Sequence, residues 1–584
     1  MTLRGRTMHA DSSLLEAESG RTGDARPDVL ACPEPGTGAC TLILLGLCAL
    51  LFPPNTSSLP LADPDEARSA LIVRGMLRTG DWITPHVSER VFMDKPAPYF
   101  WLAAVGTMLT DDVELGGRLV SAAFGAMAVL VTFAFARSVA GNRAGLLAGV
   151  VLATGPGPLT VARLYRMDMP LVAMMWAALW WFWRYERPEK RSRGNARKQW
   201  LGFYALAAGA TLMKGPIGLG LPSLVVGVYL LLSGRPKRIR EFLHAPAMAL
   251  YVLIAAPWYV VISIRHPQYA YEFFVVQNLV RYAGRAMDDK TFPAIYYVAI
   301  ILGCMMPWTI YLPGALARTF PRRWKDRARD PAMLFGWLAV LVPLAFFMAG
   351  RTRLAVYILP VAPPLAAMVA IPAARWVTSH HPDPLYKVGT VALRVAVVVM
   401  ALALGGFELY MRWLDAWIVL PVAAAIVAVA FMTLSLKHAR RGAYFAWAMA
   451  GTAAALIFAA THTADRMYAH RSMAPLGRIA RARAGDGVLL CYFGKRRHSF
   501  ALYANRTEVR RFCRDVEADR AELRRLLQSG RPVCCLVQDH RAFRQLQAAV
   551  DRPLTVLGTN GEYRLVTNEG VPPGTRPAPP EGKP

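Results

Sequence analysis

Charged side chains at the ends of hydrophobic runs are the residues of this 584-residue chain whose types could do chemistry. The segment Asp63–Pro96, DPDEARSALIVRGMLRTGDWITPHVSERVFMDKP, has three acids among its first four residues and ends on an aspartate, a lysine and a proline. Similar charges follow later runs, at Arg163, Arg166, Asp168, Lys214, Arg281, Arg351 and Arg353. A carboxylate can orient or deprotonate an incoming nucleophile, while Lys and Arg can hold a departing phosphate. The set therefore predicts a reaction site at one membrane face, because ionisable groups at membrane depth are costly.

The hydrophobic runs that carry these charges predict a membrane protein. The chain is 55% hydrophobic and 18% charged, and apolar runs recur between about residues 40 and 462. Most runs are roughly 17 to 22 residues long, which suits a helix crossing a bilayer core, and the fifth is shorter. We expect about thirteen spans, near 40–60, 115–136, 143–162, 169–184, 200–213, 216–233, 246–264, 294–314, 332–349, 354–373, 388–409, 414–435 and 443–462. They make up a multi-pass α-helical membrane body over 38–465.

Basic residues indicate how this body is oriented. They concentrate after even-numbered spans, in RYERPEKRSRGNARK, GRPKRIR, RTFPRRWKDRARD and KHARRGA. The positive-inside rule assigns these loops and the N-terminus to the cytoplasm. The odd number of spans then puts the loop 61–112 and the C-terminal region outside. Much of the net charge of +28 lies in those loops, so membrane lipids are the expected anionic partner and nucleic acid is not.

The loop 61–112 contains two predicted interface helices. EARSALIVRGMLRTG places Ile72, Val73, Met76 and Leu77 on one face, and APYFWLAAVGTML is more apolar. Such helices would line a cavity at the membrane surface.

The region 475–568 predicts a small α/β soluble domain. The strand-like runs VLLCYF, PVCCLVQ and PLTVLG alternate with the helix-like runs AELRRLLQSG and HRAFRQLQAAV. Four cysteines lie there and none forms a CxxC pair. The sequence therefore does not decide whether one disulfide forms in this domain. Residues 1–37 and 569–584 are predicted to be disordered tails, the first of them cytoplasmic.

Seven motifs connect the chain to a known family. In order, they are DPDEARSALIVRGMLRTGDWITP, DKPAPYFWL, RLYRMDM, MKGPIG, PWYVVISIRHP, FFVVQNLVRY and YILPVAPPLA. Their order and spacing resemble the polyprenyl-phosphate-sugar glycosyltransferases with the GT-C fold. The resemblance covers about residues 40 to 565. It is strongest to the bacterial enzymes that move 4-amino-4-deoxy-L-arabinose from undecaprenyl phosphate to lipid A, which are relatives of protein O-mannosyltransferases.

The resemblance implies partners, a location and roles for particular residues. The donor would be a polyprenyl-phosphate sugar, the acceptor a lipid or glycan, and the location the bacterial inner membrane with the C-terminal domain in the periplasm. The reaction would be an inverting transfer. The catalytic set is Asp65, Glu66 and Asp168. The set that binds the phosphate of the lipid carrier is Lys95, Arg281, Tyr357 and Lys214.

Two departures from the family concern a metal. Relatives that hold a divalent ion near the cavity have Glu before the lysine and His before the arginine, where this chain has Asp94 and Asn278. The downstream loop AGRAMDDKTFPAIYY also lacks the histidine of those relatives. Asn is a poor replacement for imidazole at a zinc-like site. We therefore expect no tightly bound metal, and only a weakly held divalent cation near Asp94.

Other functions fit parts of the same pattern. Other sugars (mannose, galactosamine, arabinose) and acceptors (protein or glycan) are compatible with the family. A transporter or flippase of lipid-linked sugar would have charges near the middle of its spans and repeated halves, whereas here the charges lie at one end and no internal repeat is found. A scaffold protein would not need the acids after the first span.

Overall fold

The computed structural model describes residues 34–53, 59–88, 90–187, 190, 192–283, 292–321, 329–378, 383–393, 395, 471–483, 487–506, 509–548, 550 and 553–569. The spans expected near 414–435 and 443–462, most of the span near 388–409, and nearly all of both tails lie outside these residues.

The body is a bundle of helices. They are α1 (Thr37–Leu51), α2 (Asp65–Thr79), α3 (Pro98–Thr110), α4 (Val113–Ala153), α5 (Pro156–Arg163), α6 (Asp168–Glu186), α7 (Arg193–Lys214), α8 (Ile217–Leu232), α9 (Ala245–Arg265), α10 (Gln268–Ala270), α11 (Tyr296–Cys304), α12 (Leu312–Thr319), α13 (Pro331–Ala349) and α14 (Ala362–Thr378). A π-helix, Tyr271–Val280, continues α10, and 3₁₀ turns cover Pro236–Leu243, Trp308–Tyr311 and Ala355–Val361. A short antiparallel hairpin, β1 (His86–Val87) and β2 (Arg90–Val91), lies between α2 and α3.

Helix α4 is the centre of the bundle, because α1, α3, α6 and α14 all pack along it. It joins two expected spans through a break at Ala140 and Gly141, where the backbone leaves the helical region. Helix α3 approaches α4 so closely that a Cβ on Gly106 would lie 2.5 Å from the carbonyl oxygen of Gly116. The two backbones touch there, and this contact fixes the segment that precedes α3.

The body is that of a multi-pass membrane protein. Four described helices are long and apolar enough to cross a bilayer: α4, α9, α13 and the segment Ala355–Val377. The span expected near 294–314 is instead a helix pair, Tyr296–Cys304 and Trp308–Thr319, bent by 107°. Pro307, which has no amide hydrogen to donate, stands at this break. The total of thirteen spans stays a prediction.

The C-terminal domain has a five-stranded mixed sheet. Its strands are β3 (Leu489–Phe493), β4 (Arg510–Phe512), β5 (Val533–Gln538), β6 (Thr555–Asn560) and β7 (Tyr563–Thr567), in the order β4-β3-β5-β7-β6. Its helices are α15 (Ala474–Arg483), α16 (His498–Tyr503), α17 (Glu517–Gln528) and α18 (Asp539–Ala548). Strand β3 is parallel to β4 and β5, and β7 is antiparallel to β5 and β6. This confirms the α/β unit, and all cysteines in the described residues are free thiols.

Helix α16 binds this domain to the segment that precedes α2. The backbone amide of Ser499 donates to Oδ1 of Asp63 at 3.0 Å, and its hydroxyl donates to the other carboxylate oxygen. The Tyr503 hydroxyl accepts from the amide of Leu61 at 2.8 Å. The domain therefore holds the start of α2 in place.

Protein also covers the apolar face of α2. Ile72 and Val73 have no exposed surface, and Met76 is 2% exposed. On the polar side, Arg74 donates to the carbonyl of Leu502 at 2.9 Å. The face that we expected to lie in the membrane interface is buried against the body and the C-terminal domain.

Candidate active site

Several helix ends of the body meet around one cavity of about 540 Å³, here called the acid cavity. Six of the seven predicted site residues line it: Asp65, Asp168, Lys95, Lys214, Arg281 and Tyr357. They come from segments as far apart in the chain as α2 and the 3₁₀ turn at Ala355–Val361. The fold thus brings acids and bases together at the ends of helices, which is the arrangement that a charged reaction site needs.

Asp65 is the first residue of α2, where the positive end of the helix dipole favours a negative charge. Its two oxygens are held by two arginines, at 2.7 Å from Nη2 of Arg68 and 2.9 Å from Nη1 of Arg166. Its side chain is still 35% exposed and faces the acid cavity. The carboxylate is therefore fixed in direction and accessible to a molecule in the cavity.

Asp168 begins α6 and is 4% exposed. Arg166 donates to it through Nε at 2.9 Å, and Lys214 forms a close ion pair with its other oxygen. Nζ of Lys214 also lies 5.1 Å from the ring centroid of Tyr357, a cation–π geometry. A buried carboxylate with two cationic partners chiefly positions them, so Asp168 sets the direction in which Arg166 and Lys214 face the cavity.

The turn before α6 is held against α4. The ring of Tyr165 lies directly on Gly117, where a Cβ would come within 2.1 Å of the ring. The Ser121 hydroxyl donates to the carbonyl of Arg166 at 3.0 Å. Only glycine leaves room for this contact. The contact holds the RLYRMD motif so that Arg166 and Asp168 both face the cavity.

Lys95 is a cation without a counter-ion. It lines the cavity on the loop before α3, and within the described part of the chain it has no hydrogen-bond or ion-pair partner. Burial and then the neighbouring Lys214 lower the pKa of Lys95 to about 8, Asp94 opposes them, and Arg281 and Arg68 add to the lowering. A half-buried ammonium crowded by other cations favours an anion as its ligand.

Glu66 does not line the cavity, and its assignment to the catalytic set stays a prediction. It is 3% exposed, and Oε1 lies 3.3 Å from Nε of Arg118 on α4. Its oxygens also accept from the backbone amides of Tyr165, at 2.8 Å, and Ala62, at 3.0 Å. Successive residues of a helix point in different directions, so only one of two adjacent acids can face the cavity. Glu66 instead ties α2 to α4 and to the turn before α6.

The cavity also contains residues that the sequence analysis did not single out. Arg68, Glu272 and Gln277 line it. The spacing of Arg68 three residues after Asp65 on a helix is a signal that could have found it. Two arginines of the initial set instead serve the backbone: Arg163 donates to the carbonyl of Leu51 at 2.6 Å, and Arg353 to that of Met348 at 3.0 Å.

The residues expected near a metal do not form a ligand set. Across the described ranges, no group of three or more His, Cys, Asp or Glu side chains could hold an ion. Asp94 lines the cavity, but the amide nitrogen of Asn278 donates to the carbonyl of Phe273 at 2.6 Å. Most of the loop AGRAMDDKTF lies outside the described residues.

The fold resembles solved structures. The crystal structure of ArnT from Cupriavidus metallidurans bound to undecaprenyl phosphate matches with a TM-score of 0.74 and 19% identity, covering 92% of this chain and 99% of that chain. The apo structure of the same protein matches with a TM-score of 0.74 and 20% identity. The chain thus has an ArnT-like fold, a mostly helical membrane body with a small C-terminal mixed-sheet domain.

Sequence comparisons give the family. Residues 94–261 match the family described as dolichyl-phosphate-mannose-protein mannosyltransferase. The undecaprenyl phosphate-alpha-4-amino-4-deoxy-L-arabinose arabinosyl transferase of Edwardsiella ictaluri is 30% identical over 403 residues, which cover 67% of this chain and 70% of that protein. The chain belongs to the family of these arabinosyl transferases. Its homologue of the same name in Aeromonas salmonicida is 32% identical, and the matched segment spans just over half of that protein, 56%.

Proposed function

We propose that the chain transfers 4-amino-4-deoxy-L-arabinose from undecaprenyl phosphate to lipid A, with inversion, at the outer face of the bacterial inner membrane. Membership of the arabinosyl transferase family supports the donor and the acceptor. The observation that carries the proposal is that Asp65 and Lys95 line one cavity, the first held by two arginines and the second without an ion-pair partner among the described residues. The outer face follows from the basic loops, which the positive-inside rule assigns to the cytoplasm.

The cations of the acid cavity would hold the donor phosphate. Lys95, Lys214 and Arg281 would surround it, with Tyr357 beside Lys214. In the reaction the bond between the sugar C1 and the phosphate oxygen breaks, and the electron pair stays on that oxygen as undecaprenyl phosphate leaves. Fixed cations stabilise the negative charge that develops there, so no nucleotide is required.

Asp65 would act on the acceptor. An oxygen of the acceptor attacks C1 from the face opposite the leaving phosphate, which inverts the configuration at that carbon. A phosphate acceptor is already anionic and needs no base. Arg68 and Arg166, which hold Asp65, present guanidinium groups suited to such an acceptor. Asp65 would then orient the acceptor or the amino group of the sugar, and toward a hydroxyl acceptor it would serve as the base.

The test is transfer by the purified protein in liposomes that contain undecaprenyl-phosphate-aminoarabinose and lipid A. We expect modified lipid A and free undecaprenyl phosphate to appear in equal amounts, and neither with Asp65→Asn. Movement of intact donor between leaflets without release of undecaprenyl phosphate would instead indicate a transporter. Release without modified lipid A, but with modified protein or glycan acceptor, would refute the proposed acceptor.

A further inference from the structure

A second cavity, of about 740 Å³, lies between the β1–β2 hairpin and the C-terminal domain. We call it the basic cavity. Six arginines line it, Arg90, Arg496, Arg506, Arg510, Arg511 and Arg531, and His498 lies among them. No aspartate or glutamate is among the described residues that line it. Six guanidinium groups around one hollow create a strongly positive potential, since the low-dielectric walls focus the field.

The arginines of this cavity are only partly compensated by the protein. Arg510 pairs with Glu522 at 2.6 Å, and Nε of Arg511 donates to the carbonyl of Gly494 at 3.0 Å. In contrast, the buried Nε of Arg496 has no hydrogen-bond partner among the described residues. Burial, Arg90 and Arg511 together lower the pKa of Arg496. Crowded arginines of this kind favour a ligand that carries several negative charges.

The basic cavity lies near the acid cavity, although the two share no lining residue. His498 lines the basic cavity, and burial, Arg68 and Arg496 lower its pKa to about 4, while Asp65 opposes them. Arg68 and Asp65 line the acid cavity, so His498 lies within electrostatic reach of both sites. The next residue, Ser499, is bonded to Asp63, two residues before Asp65. The hydrogen bond between Ser499 and Asp63 therefore connects a wall of the basic cavity to the segment that carries Asp65.

We propose that the basic cavity binds the phosphorylated saccharide head group of the acceptor glycolipid and delivers it to Asp65. This inference rests on the proposed function. The volume falls in the usual range for small-molecule sites, about 300–1,000 Å³. Arginine forks match phosphate oxygens in two-point contacts, which a neutral saccharide would not satisfy. The donor does not need this site, because its phosphate has its own cations in the acid cavity.

The first test separates the acceptor from the donor in the kinetics. In the double variant Arg90→Gln/Arg496→Gln, we expect the KM for lipid A to rise about tenfold, while the KM for the donor and the kcat stay within about twofold. In the wild-type protein, the KM for lipid A should also rise at high salt, because salt screens the attraction between the arginines and the phosphates. The matched control is Arg524→Gln/Arg525→Gln, which removes two exposed charges of α17 outside the cavity. An unchanged KM for lipid A, or an equal rise in the control, overturns the inference.

The second test measures binding without turnover. Native mass spectrometry of the full chain would count retained lipid A, lipid A stripped of its phosphates, and phosphatidylglycerol. We expect preferential retention of phosphorylated lipid A that falls about tenfold in the double variant. Equal retention of phosphatidylglycerol would show a nonspecific anionic surface and overturn the inference. If the wild type binds lipid A through these arginines but transfers no sugar, the proposed function fails and the binding site stands.

Discussion

Asp65 and Lys95 divide the chemistry of the acid cavity between a fixed anion and a cation that has no ion-pair partner in the described part of the chain. The two arginines of Asp65 determine its direction, whereas Lys95 is left to bind a ligand. Each residue therefore has its own test. Replacing Asp65 should slow the transfer step, and replacing Lys95 should weaken binding of the undecaprenyl phosphate carrier.

Replacing Asp65 by Asn should lower the transfer rate by at least about a hundredfold, because the amide keeps the shape and loses the charge. Binding of undecaprenyl phosphate should change little. The rate is measured with labelled donor, and circular dichroism with thermal unfolding shows that the variant is folded. Full activity in a folded Asp65→Asn protein would remove the role assigned to this carboxylate.

The charge of Lys95 predicts a pH dependence. With a pKa of about 8, the ammonium is charged below that pH and loses its proton above it. Binding of undecaprenyl phosphate to the wild type should therefore weaken between pH 7 and 9, by up to about tenfold per unit above the pKa. Lys95→Arg should abolish this pH dependence, since arginine stays charged. Affinity that is flat with pH in both proteins would show that Lys95 does not contact the phosphate.

At the scale of elements, much of the architecture could be predicted because apolar runs and strand-like runs each have a characteristic length. The positions and angles of the breaks could not be predicted from these lengths. Pro307 marks where the chain bends after Cys304 but does not fix the angle of 107°, and no proline marks the break at Ala140 and Gly141 in α4. The same holds at the site, where Asp65 and Glu66 are adjacent acids at the start of one helix. Glu66 is the buried one because Arg118 on α4 and two backbone amides hold it, and these contacts depend on the fold. Arg68 and Glu272 were missed because their role depends on which face of a helix meets the cavity.

The contact of α3 with α4 predicts an element-scale effect. Gly106→Ala would push a methyl group against the backbone of Gly116, and we expect a loss of about 1–3 kcal/mol of stability. Activity should fall as well, because α3 directly follows the loop that carries Lys95. Thermal unfolding in detergent measures the first effect. The control is Gly227→Ala on α8, where a Cβ meets nothing within 4 Å and should be neutral or slightly stabilising. Equal melting temperatures for the two variants would contradict this account of the contact.

At the scale of the whole molecule, the C-terminal domain is connected to the reaction site through Asp63. Burial raises the pKa of this carboxyl, and hydrogen bonds from Ser499 counteract the rise. Ser499→Ala removes one donor from a buried anion, which costs about 1–3 kcal/mol. We expect faster hydrogen exchange in α16 and in the segment before α2, with β5 unchanged, and a lower transfer rate. The control is Ser529→Ala, whose hydroxyl makes only exposed local bonds at the end of α17, donating to the carbonyl of Leu526 and accepting from the amide of Arg531. Identical exchange in both variants would mean that the domain is held by other contacts.

The central claim is that this chain modifies lipid A with aminoarabinose through the acid cavity. The most direct measurement is mass spectrometry of lipid A from cells whose own copy of the protein is deleted. These cells then express either the wild-type chain or the Asp65→Asn variant at equal abundance. We predict lipid A with added aminoarabinose only in cells with the wild-type chain. Lipid A without the sugar in all cells, or with the sugar in the Asp65→Asn cells, would contradict the claim.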